Sequence, residues 1–367
     1  MAELLKNVYS ESFFKKFLSV VLLIAHKFNE KAFLNSIYNE QWETLALKQR
    51  MRHISIVFKE QLGPDYTSNI ELILRLIPEL EKKGFKTDSL EFIFLPDFVE
   101  IYGLENFQTS IDAIEQITQF VTCEFAVRPF IQNHEKEMLA QLLAWSKHKH
   151  PSVRRLATEG CRPRLPWAMA LNSFKVNPQP LIAILENLKN DTSEYVRRSV
   201  ANNLNDISKD HPEKVLELAL NWIGKTKETD ALIKHGCRTL LKKGDITAME
   251  LFGFGKLNDI YLNDFEIINT AVKIGEYLEF SFRIENRSSL DQKIRLEYAL
   301  YFLLANNTLS KKVFKISEKN YRKNSITTIT KKHSFKIIST RKFYTGIQEV
   351  AIILNGVELE KTTFKLG

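Results

Sequence analysis

Two glutamates each lie one helical turn from an arginine in the sequence. Glu159 follows Arg155 by four residues, and Glu124 precedes Arg128 by four. On a helix such a spacing allows an ion pair that contributes about 0.2–0.5 kcal/mol, and this is the plainer explanation for each glutamate. A carboxylate would nevertheless repel phosphates from a basic surface. The alternative explanation is that these carboxylates stabilise a cation that forms on a substrate.

Trp167 is a third residue whose type and position could serve chemistry. It follows the sequence RPRLP of residues 162–166, in which Pro163 and Pro166 are expected to end the preceding helix. We therefore expect a helical hairpin whose second helix begins near Trp167. A tryptophan at this spacing more often packs in a core, but a helix start within an arginine-rich groove favours a surface for stacking.

Other catalytic motifs are missing from the sequence. Gly224-Lys225-Thr226 resembles the end of a phosphate-binding loop, but the upstream glycine is replaced by Ala219. The histidines do not form an H-E-x-x-H motif, and the G-x-S-x-G motif of serine hydrolases is absent. The three cysteines form no C-x-x-C pair, which argues against a zinc site. The sequence predicts neither a metal nor an organic cofactor.

The arginine-rich segment is repeated along the chain. The tripeptide Val153-Arg154-Arg155 recurs as Val196-Arg197-Arg198, 43 residues later, and a weaker copy follows near position 234. Helix pairs that repeat every 40 or so residues are typical of HEAT and armadillo solenoids, in which equivalent positions share one face. The repeats are therefore expected to line a basic track of Arg154, Arg155, Arg197, Arg198, Lys234, His235 and Arg238.

Charge is distributed unevenly along the 367 residues. Residues 1–127 carry 13 Lys or Arg against 18 Asp or Glu, a net charge of −5, whereas residues 128–244 carry 20 against 12, a net charge of +8. Residues 256–367 carry 19 against 12, a net charge of +7. This asymmetry favours a polyanionic partner, most simply a nucleic acid.

The same composition bears on the cellular compartment. Unpaired cysteines are typical of a reducing cytosol. The longest apolar run, residues 17–25, is too short to span a membrane and follows two lysines. We expect a cytoplasmic monomer without a membrane partner.

Two domains are predicted from the change in residue pattern. Residues 1–255 form helix after helix, whereas residues 256–367 contain about seven β-branched and aromatic runs separated by turns, the pattern of an immunoglobulin-like β-sandwich. Within it, residues 306–343 carry eleven Lys or Arg and one acid, Glu318. This basic segment fits solvated edge strands and a nucleic-acid surface equally well.

Four sequence blocks resemble one known family. They are TEGCRPRLPWA at 158–168, CEFAVRPF at 123–130, SVANNLNDIS at 199–208 and HGCRTLLKKGD at 235–245. These blocks resemble the AlkC branch of the AlkC/AlkD-like alkylpurine DNA glycosylases. The helical N-terminal part and the basic β-rich tail are also similar to the longer members of that branch.

The resemblance implies a HEAT-like solenoid that wraps duplex DNA. It implies excision of cationic N3-methylated bases, 3-methyladenine and 3-methylcytosine, without turning the lesion into a pocket. The activity would be that of a monofunctional glycosylase that starts base excision repair. We expect no lyase step, because no lysine in the sequence is visibly placed to form a Schiff base. The alternative, from another class, is a catalytically inert HEAT scaffold that binds nucleic acid or an acidic protein.

The resemblance also implies roles for single residues. Glu124, Glu159 and Trp167 occupy the catalytic positions of the family, and Phe125 would help to shape the site. The remaining expected DNA contacts are Arg154, Arg155, Arg162, Arg164, Arg197, Arg198, Lys234, His235 and Arg238. Which glutamate positions the water, and whether Trp167 meets sugar or base, stay open.

Overall fold

A computed structural model describes residues 5–338 and 341–367 of the chain. Over these residues it contains α1 (Glu11–Ile24), α2 (Glu30–Ile37), α3 (Leu47–Glu60), α4 (Tyr66–Lys82), α5 (Phe94–Tyr102), α6 (Phe107–Ile117), α7 (Val127–Asn133), α8 (Glu135–Trp145), α9 (Pro151–Glu159), α10 (Asn172–Val176), α11 (Gln179–Leu188), α12 (Glu194–Ile207), α13 (Pro212–Trp222), α14 (Lys227–Gly236), α15 (Arg238–Lys243) and α16 (Ile246–Leu251). Within the described ranges, no helix is long and apolar enough to cross a lipid bilayer.

Eight β-strands follow the helices. They are β1 (Ile260–Ile267), β2 (Ala271–Val272), β3 (Tyr277–Asn286), β4 (Gln292–Leu303), β5 (Leu309–Tyr321), β6 (Ser325–Ser334), β7 (Gly346–Leu354) and β8 (Val357–Leu366). The predicted helical repeats followed by a β-sandwich are therefore confirmed. The strand that the sequence did not predict, β2, has only two residues and gives no periodic signal.

The chain forms two compact units. The first comprises the described residues up to 211 together with 222–236, and the second comprises 212–221 together with 237–367. The boundary expected at residue 255 does not coincide with the limits of these two units. It coincides with the change from helices to strands, because it falls between the end of α16 and the start of β1. The division into domains 1–255 and 256–367 stays a prediction.

The repeated arginine-rich segments form neighbouring helices. In α9, His150 caps the first turn by accepting a hydrogen bond from the Ser152 amide at 3.2 Å, and Pro151 takes the first helical position. The apolar positions Val153 and Leu156 of this helix are buried, as their spacing predicts. Since α12 packs against both α9 and α14, the repeats lie side by side as expected.

Residues 107–133 do not form one continuous helix. α6 ends at Ile117 and α7 begins at Val127, so Glu124 lies in a non-helical segment between them. The carbonyl of Phe120 accepts a hydrogen bond from the Asp88 amide at 2.7 Å, whereas a continuous helix would pair that carbonyl with the amide of Glu124. A residue distant in sequence thus takes this carbonyl, and Glu124 lies outside both helices.

The second helix of the expected hairpin does not begin near Trp167. The helix α10 starts at Asn172, and residues 162–171 are irregular. Trp167 has a φ of 65°, in the left-handed region, which a right-handed helix excludes. The prediction of a helix start at this residue is wrong.

The β-strands form two sheets. One sheet has the order β1-β3-β6 and the other β2-β8-β7-β4-β5. All neighbours are antiparallel except β2 and β8, which are parallel. Alternate residues of β3, such as Phe280 and Phe282, are buried with Tyr298 of β4 and Ile352 of β7 in one apolar core. The core therefore draws on both sheets, as in a sandwich.

The basic segment 306–343 forms β5, β6 and the residues after them, of which 339 and 340 lie outside the described residues. Several of its lysines pair with carboxylates. Lys311 donates to Glu358 at 2.7 Å, and Lys332 lies 3.0 Å from Glu279. Such pairs fit solvated edge strands, and they do not exclude a surface for nucleic acid.

Replacing Gly160 with alanine is expected to destabilise the helical unit. Gly160 follows the last residue of α9, and a Cβ atom there would lie 2.5 Å from Cγ2 of Val127 and 3.0 Å from the carbonyl oxygen of Leu156. Overpacking of this kind costs about 1–3 kcal/mol, which urea unfolding followed by circular dichroism would measure. Gly63→Ala is the matched control, because no heavy atom lies within 4 Å of the added Cβ. Equal stabilities of the two variants would contradict this account of how α9 packs.

Candidate active site

Glu124 lies in the segment between α6 and α7, with its side chain 13% exposed. Its Oε2 accepts hydrogen bonds from the Thr122 hydroxyl and from Nη1 of Arg155. The spacing suggested an ion pair between Glu124 and Arg128. The described residues do not form this pair. Arg128 is buried and donates instead to the carbonyl oxygens of Met169, Gly160 and Arg162.

Glu159 is the last residue of α9 and is only 4% exposed. Its Oε1 accepts from Nη1 of Arg162 at 2.6 Å, and its Oε2 accepts from the Ser199 hydroxyl of α12 at 2.6 Å. Nη2 of Arg155 is 3.6 Å from Oε1. The carboxylate is therefore fixed by two helices and faced by two guanidinium groups.

Arg155 joins the two glutamates. Its guanidinium contacts Glu124, lies near Glu159, donates to Thr122 Oγ1 at 2.6 Å and sits 4.9 Å from the centroid of the Tyr195 ring. Burial acts to lower the pKa of Arg155, but the carboxylates of Glu124 and Glu159 outweigh this effect and the pKa is raised. Arg155, expected to contact phosphate, is thus held inside the acidic cluster.

Arg162, another expected DNA contact, is buried. It is 7% exposed, and its Nε donates to Oδ2 of Asp206 at 2.9 Å while its Nη1 donates to Glu159. Two carboxylates therefore share this guanidinium, just as Glu124 and Glu159 share Arg155. Its charge is directed into the protein, so the structure favours a role in holding Glu159 over the expected phosphate contact.

The first arginine of each repeat holds the loop in front of its own helix. Nη1 of Arg154 donates to the carbonyl oxygens of His148 at 3.0 Å and Lys149 at 2.8 Å, six and five residues earlier. Nη1 of Arg197 donates to the carbonyl oxygens of residues 191 and 192, again six and five residues earlier, at 2.6 and 3.0 Å. Arg154 also forms a bidentate pair with Asp191. The structure thus gives both arginines partners within the protein, and their expected phosphate contacts stay predictions.

Other expected DNA contacts lie nearer to solvent. Arg198 forms an exposed pair with Glu194 on α12, and Arg164 forms a half-exposed pair with Asp210. Arg197, Arg198 and His235 help to line a groove of about 360 Å³ between α12 and α14. Lys234 lies on α14, and Arg238 begins α15. The structure therefore brings Arg198 and His235 together on one open surface.

Trp167 is 66% exposed, whereas the other three tryptophans are at most 3% exposed. Its carbonyl oxygen accepts a hydrogen bond from Nζ of Lys48 at 2.8 Å. The same ammonium group lies 4.9 Å from the centroid of the Phe125 ring, next to Glu124. Of the two interpretations of Trp167, core residue and stacking surface, the exposure favours the second.

The structure adds residues that the sequence did not single out. Tyr195 and Ser199 of α12 contact Arg155 and Glu159, and Lys48 contacts Trp167 and Phe125. Tyr195 directly precedes the second Val-Arg-Arg copy, so its aromatic ring beside a basic repeat was the available signal. Lys48 lies 119 residues from Trp167 and gave no signal. Within residues 5–338 and 341–367, no cluster of three or more His, Cys, Asp or Glu side chains could hold a metal ion.

Comparison with known proteins places this site in a family. Residues 104–234 match the family described as DNA alkylation repair enzyme, and residues 261–367 match the C-terminal Ig-like domain of the uncharacterised protein YhaZ. The chain is 44% identical over 362 residues to the uncharacterized protein YhaZ of Bacillus subtilis (strain 168), a match that covers 99% of each protein.

A solved structure matches the whole chain as well. It is the alkylpurine DNA glycosylase AlkC of Pseudomonas fluorescens, bound to DNA containing an abasic site analog, with 32% sequence identity, a TM-score of 0.93 and coverage of 100% of both chains. The resemblance predicted from the four sequence blocks is confirmed. The chain belongs to the AlkC-like branch of the DNA alkylation repair family, together with YhaZ.

Proposed function

We propose that this protein is a monofunctional DNA glycosylase that hydrolyses the N-glycosidic bond of cationic N3-alkylated bases, 3-methyladenine and 3-methylcytosine, in duplex DNA. The observation that carries the proposal is the cluster of Glu124, Glu159 and their shared Arg155, together with an exposed tryptophan that Lys48 links to Phe125. Base excision repair would begin with the abasic site that this reaction leaves.

The chemistry follows from the charge of the lesion. An N3-alkylated base already carries a positive charge, so it leaves without a general acid, and the sugar becomes oxocarbenium-like. Negative charge near that sugar, together with an oriented water, lowers the barrier. Arg155 pairs with both Glu124 and Glu159, and Arg162 pairs with both Glu159 and Asp206. Each guanidinium group therefore divides its positive charge between two carboxylates.

Glu124 and Glu159 differ in how they could meet the sugar. Glu124 is the more exposed of the two and lies next to Phe125, so we assign it the closer approach to the cation and the water. Glu159 is almost fully buried. Its negative charge would act on the sugar through protein of low dielectric constant, and its carboxylate would keep Arg155 in place. Trp167 would face the lesioned nucleotide, where an aromatic ring attracts a cation by about 0.5–2 kcal/mol.

The absence of base flipping is part of the proposal. The cavity that adjoins Thr122 and Phe125 has a volume of about 30 Å³. That volume is too small for a purine. A lesion that stays in the duplex would instead meet the cluster from the protein surface.

Phosphate contacts are assigned to the more exposed cations. We propose Arg198, Arg164, Lys234, His235 and Arg238 for this role, because each lies at or near the protein surface or in the groove between α12 and α14. The relative from Pseudomonas fluorescens was solved on DNA, which supports the same mode of binding here. Such contacts make affinity depend on salt.

Glu159→Gln and Glu124→Gln should each slow release of 3-methyladenine by about 100-fold under single-turnover conditions, because a neutral amide no longer stabilises the developing cation. Affinity for undamaged duplex should be unchanged, measured by fluorescence anisotropy. Glu79→Gln, which removes one carboxylate from a surface pair with Lys82, is the control and should retain the parent rate.

Release at the parent rate by both Glu159→Gln and Glu124→Gln would remove these carboxylates from the mechanism. Tight DNA binding without release by the parent itself would leave a nucleic-acid scaffold.

Arg198→Gln and Arg154→Gln should change different properties, although both arginines belong to copies of the repeated tripeptide. The first should change DNA binding and the second should change stability. Arg198→Gln should lower DNA affinity and reduce the slope of log K against log salt by about one unit, with stability changed by less than about 0.5 kcal/mol. Arg154→Gln removes a largely buried pair with Asp191 and should lower the urea midpoint while leaving the salt slope intact. The assignment fails if the salt slope falls with Arg154→Gln instead.

A further inference from the structure

Lys48 connects the N-terminal helices to the two aromatic residues of the candidate active site. It lies at the start of α3, its Nζ donates to the Trp167 carbonyl at 2.8 Å, and it sits 4.9 Å from the centroid of the Phe125 ring. We propose that Lys48 is a positioning residue that holds the rings of Trp167 and Phe125 in place at the candidate active site. The inference rests on the proposed function, since it concerns how that site is kept in its working arrangement.

The backbone of Trp167 needs such a support. Among the described residues, seven non-glycine residues have a positive φ, and six of them are Asp or Asn, which tolerate the left-handed region. Trp167 is the seventh, with a φ of 65°. A bulky residue in that region is strained and persists only where surrounding contacts hold it.

Two cations bind backbone carbonyl groups at and near the strained residue. Lys48 holds the carbonyl of Trp167 itself, and Arg128 holds the carbonyl of Met169 through its Nε at 2.8 Å. Arg128 is buried and also anchors Gly160 and Arg162, so it fixes the whole segment between α9 and α10. Lys48 is exposed and acts on Trp167 directly. Hence Lys48 can be changed with less risk to the fold than Arg128.

Two carboxyl groups also lie near Lys48, and both pair with Arg52. Asp97 and Glu100 line a small cavity together with Lys48 and Arg52, and Arg52 binds each carboxylate at 2.9 Å. Burial raises the pKa of both carboxyl groups, and Lys48 acts in the opposite direction on each. The contacts that hold Lys48 itself are therefore the Trp167 carbonyl and the Phe125 ring.

The fluorine NMR spectrum of the protein labelled with 5-fluorotryptophan would test this role. The chain has four tryptophans, and the resonance of Trp167 is assigned by its loss in Trp167→Phe. In full-length Lys48→Met, the Trp167 resonance should shift and narrow because the ring moves more freely, while the three buried tryptophans keep their resonances. Release of 3-methyladenine should slow by about tenfold through poorer placement of the ring, with unchanged affinity for duplex DNA. Lys48→Arg, which can still donate to the carbonyl, should restore both measurements.

A matched control lies on the same helix. Lys59 of α3 also donates to a backbone carbonyl, that of Gly63 at 2.8 Å, and also lies near an aromatic ring, that of Tyr102. Lys59→Met should leave the Trp167 resonance and the release rate at parent values. Circular dichroism checks folding, and Lys48→Gln carries the same expectations if Lys48→Met does not fold.

The outcomes separate this inference from the proposed function. An unchanged Trp167 resonance and an unchanged rate in Lys48→Met would overturn the positioning role. Weaker DNA binding with a smaller salt slope and an unchanged resonance would also overturn it, in favour of a phosphate contact. A parent protein that releases no methylated base would defeat the proposed function, whereas a displaced Trp167 resonance in Lys48→Met would still support the role of Lys48 in holding the ring.

Discussion

The candidate active site depends on one guanidinium group that two carboxylates share. Arg155 is largely buried, and without Glu124 and Glu159 its desolvation would be uncompensated. Without Arg155, the two carboxylates would face each other across a short distance and repel. The three residues come from α9 and from the segment before α7, while α12 adds the ring of Tyr195 and a hydroxyl group. The packing of these elements therefore sets the charge that the groove presents.

The two copies of the Val-Arg-Arg tripeptide agree in the role of the first arginine and differ in the partners of the second. Its first arginine has the same role in both copies, which is to hold the carbonyl groups of the preceding loop. Its second arginine has different partners, because Arg155 joins the acidic cluster whereas Arg198 lies exposed beside Glu194. Counting 43 residues on from Glu159 gives Asn202, so the repeat lacks the second glutamate. The scaffold is thus repeated, and the acidic cluster is particular to one repeat.

Local patterns predicted the order of helices and strands and drew attention to the candidate residues. Apolar spacing predicted α9, the repeated tripeptide pointed to α12, a β-branched and aromatic run predicted β3, and a carboxylate on a basic surface drew attention to Glu124 and Glu159. The burial of charged side chains could not be predicted, because it depends on partners distant in sequence. Asp206 lies 44 residues from Arg162 and takes it out of the set of surface cations, and the Asp88 amide takes the Phe120 carbonyl that a continuous helix would have paired with Glu124. Charge and helical spacing alone do not predict these hydrogen bonds between residues distant in sequence.

Under the proposed function, recognition by charge would account for the strain and burial that meet at this site. A cationic base differs from its neutral parent by one methyl group and one charge, and a surface without an enclosing pocket has little shape with which to sense the methyl group. The charge would then be sensed at close range, by carboxylates held in a low dielectric and by an exposed aromatic face. Trp167 is exposed and has a backbone conformation that is strained for a tryptophan. Lys48 binds the carbonyl of Trp167 and Arg128 that of Met169, so in this proposal Lys48 would link the N-terminal helices to recognition of the lesion.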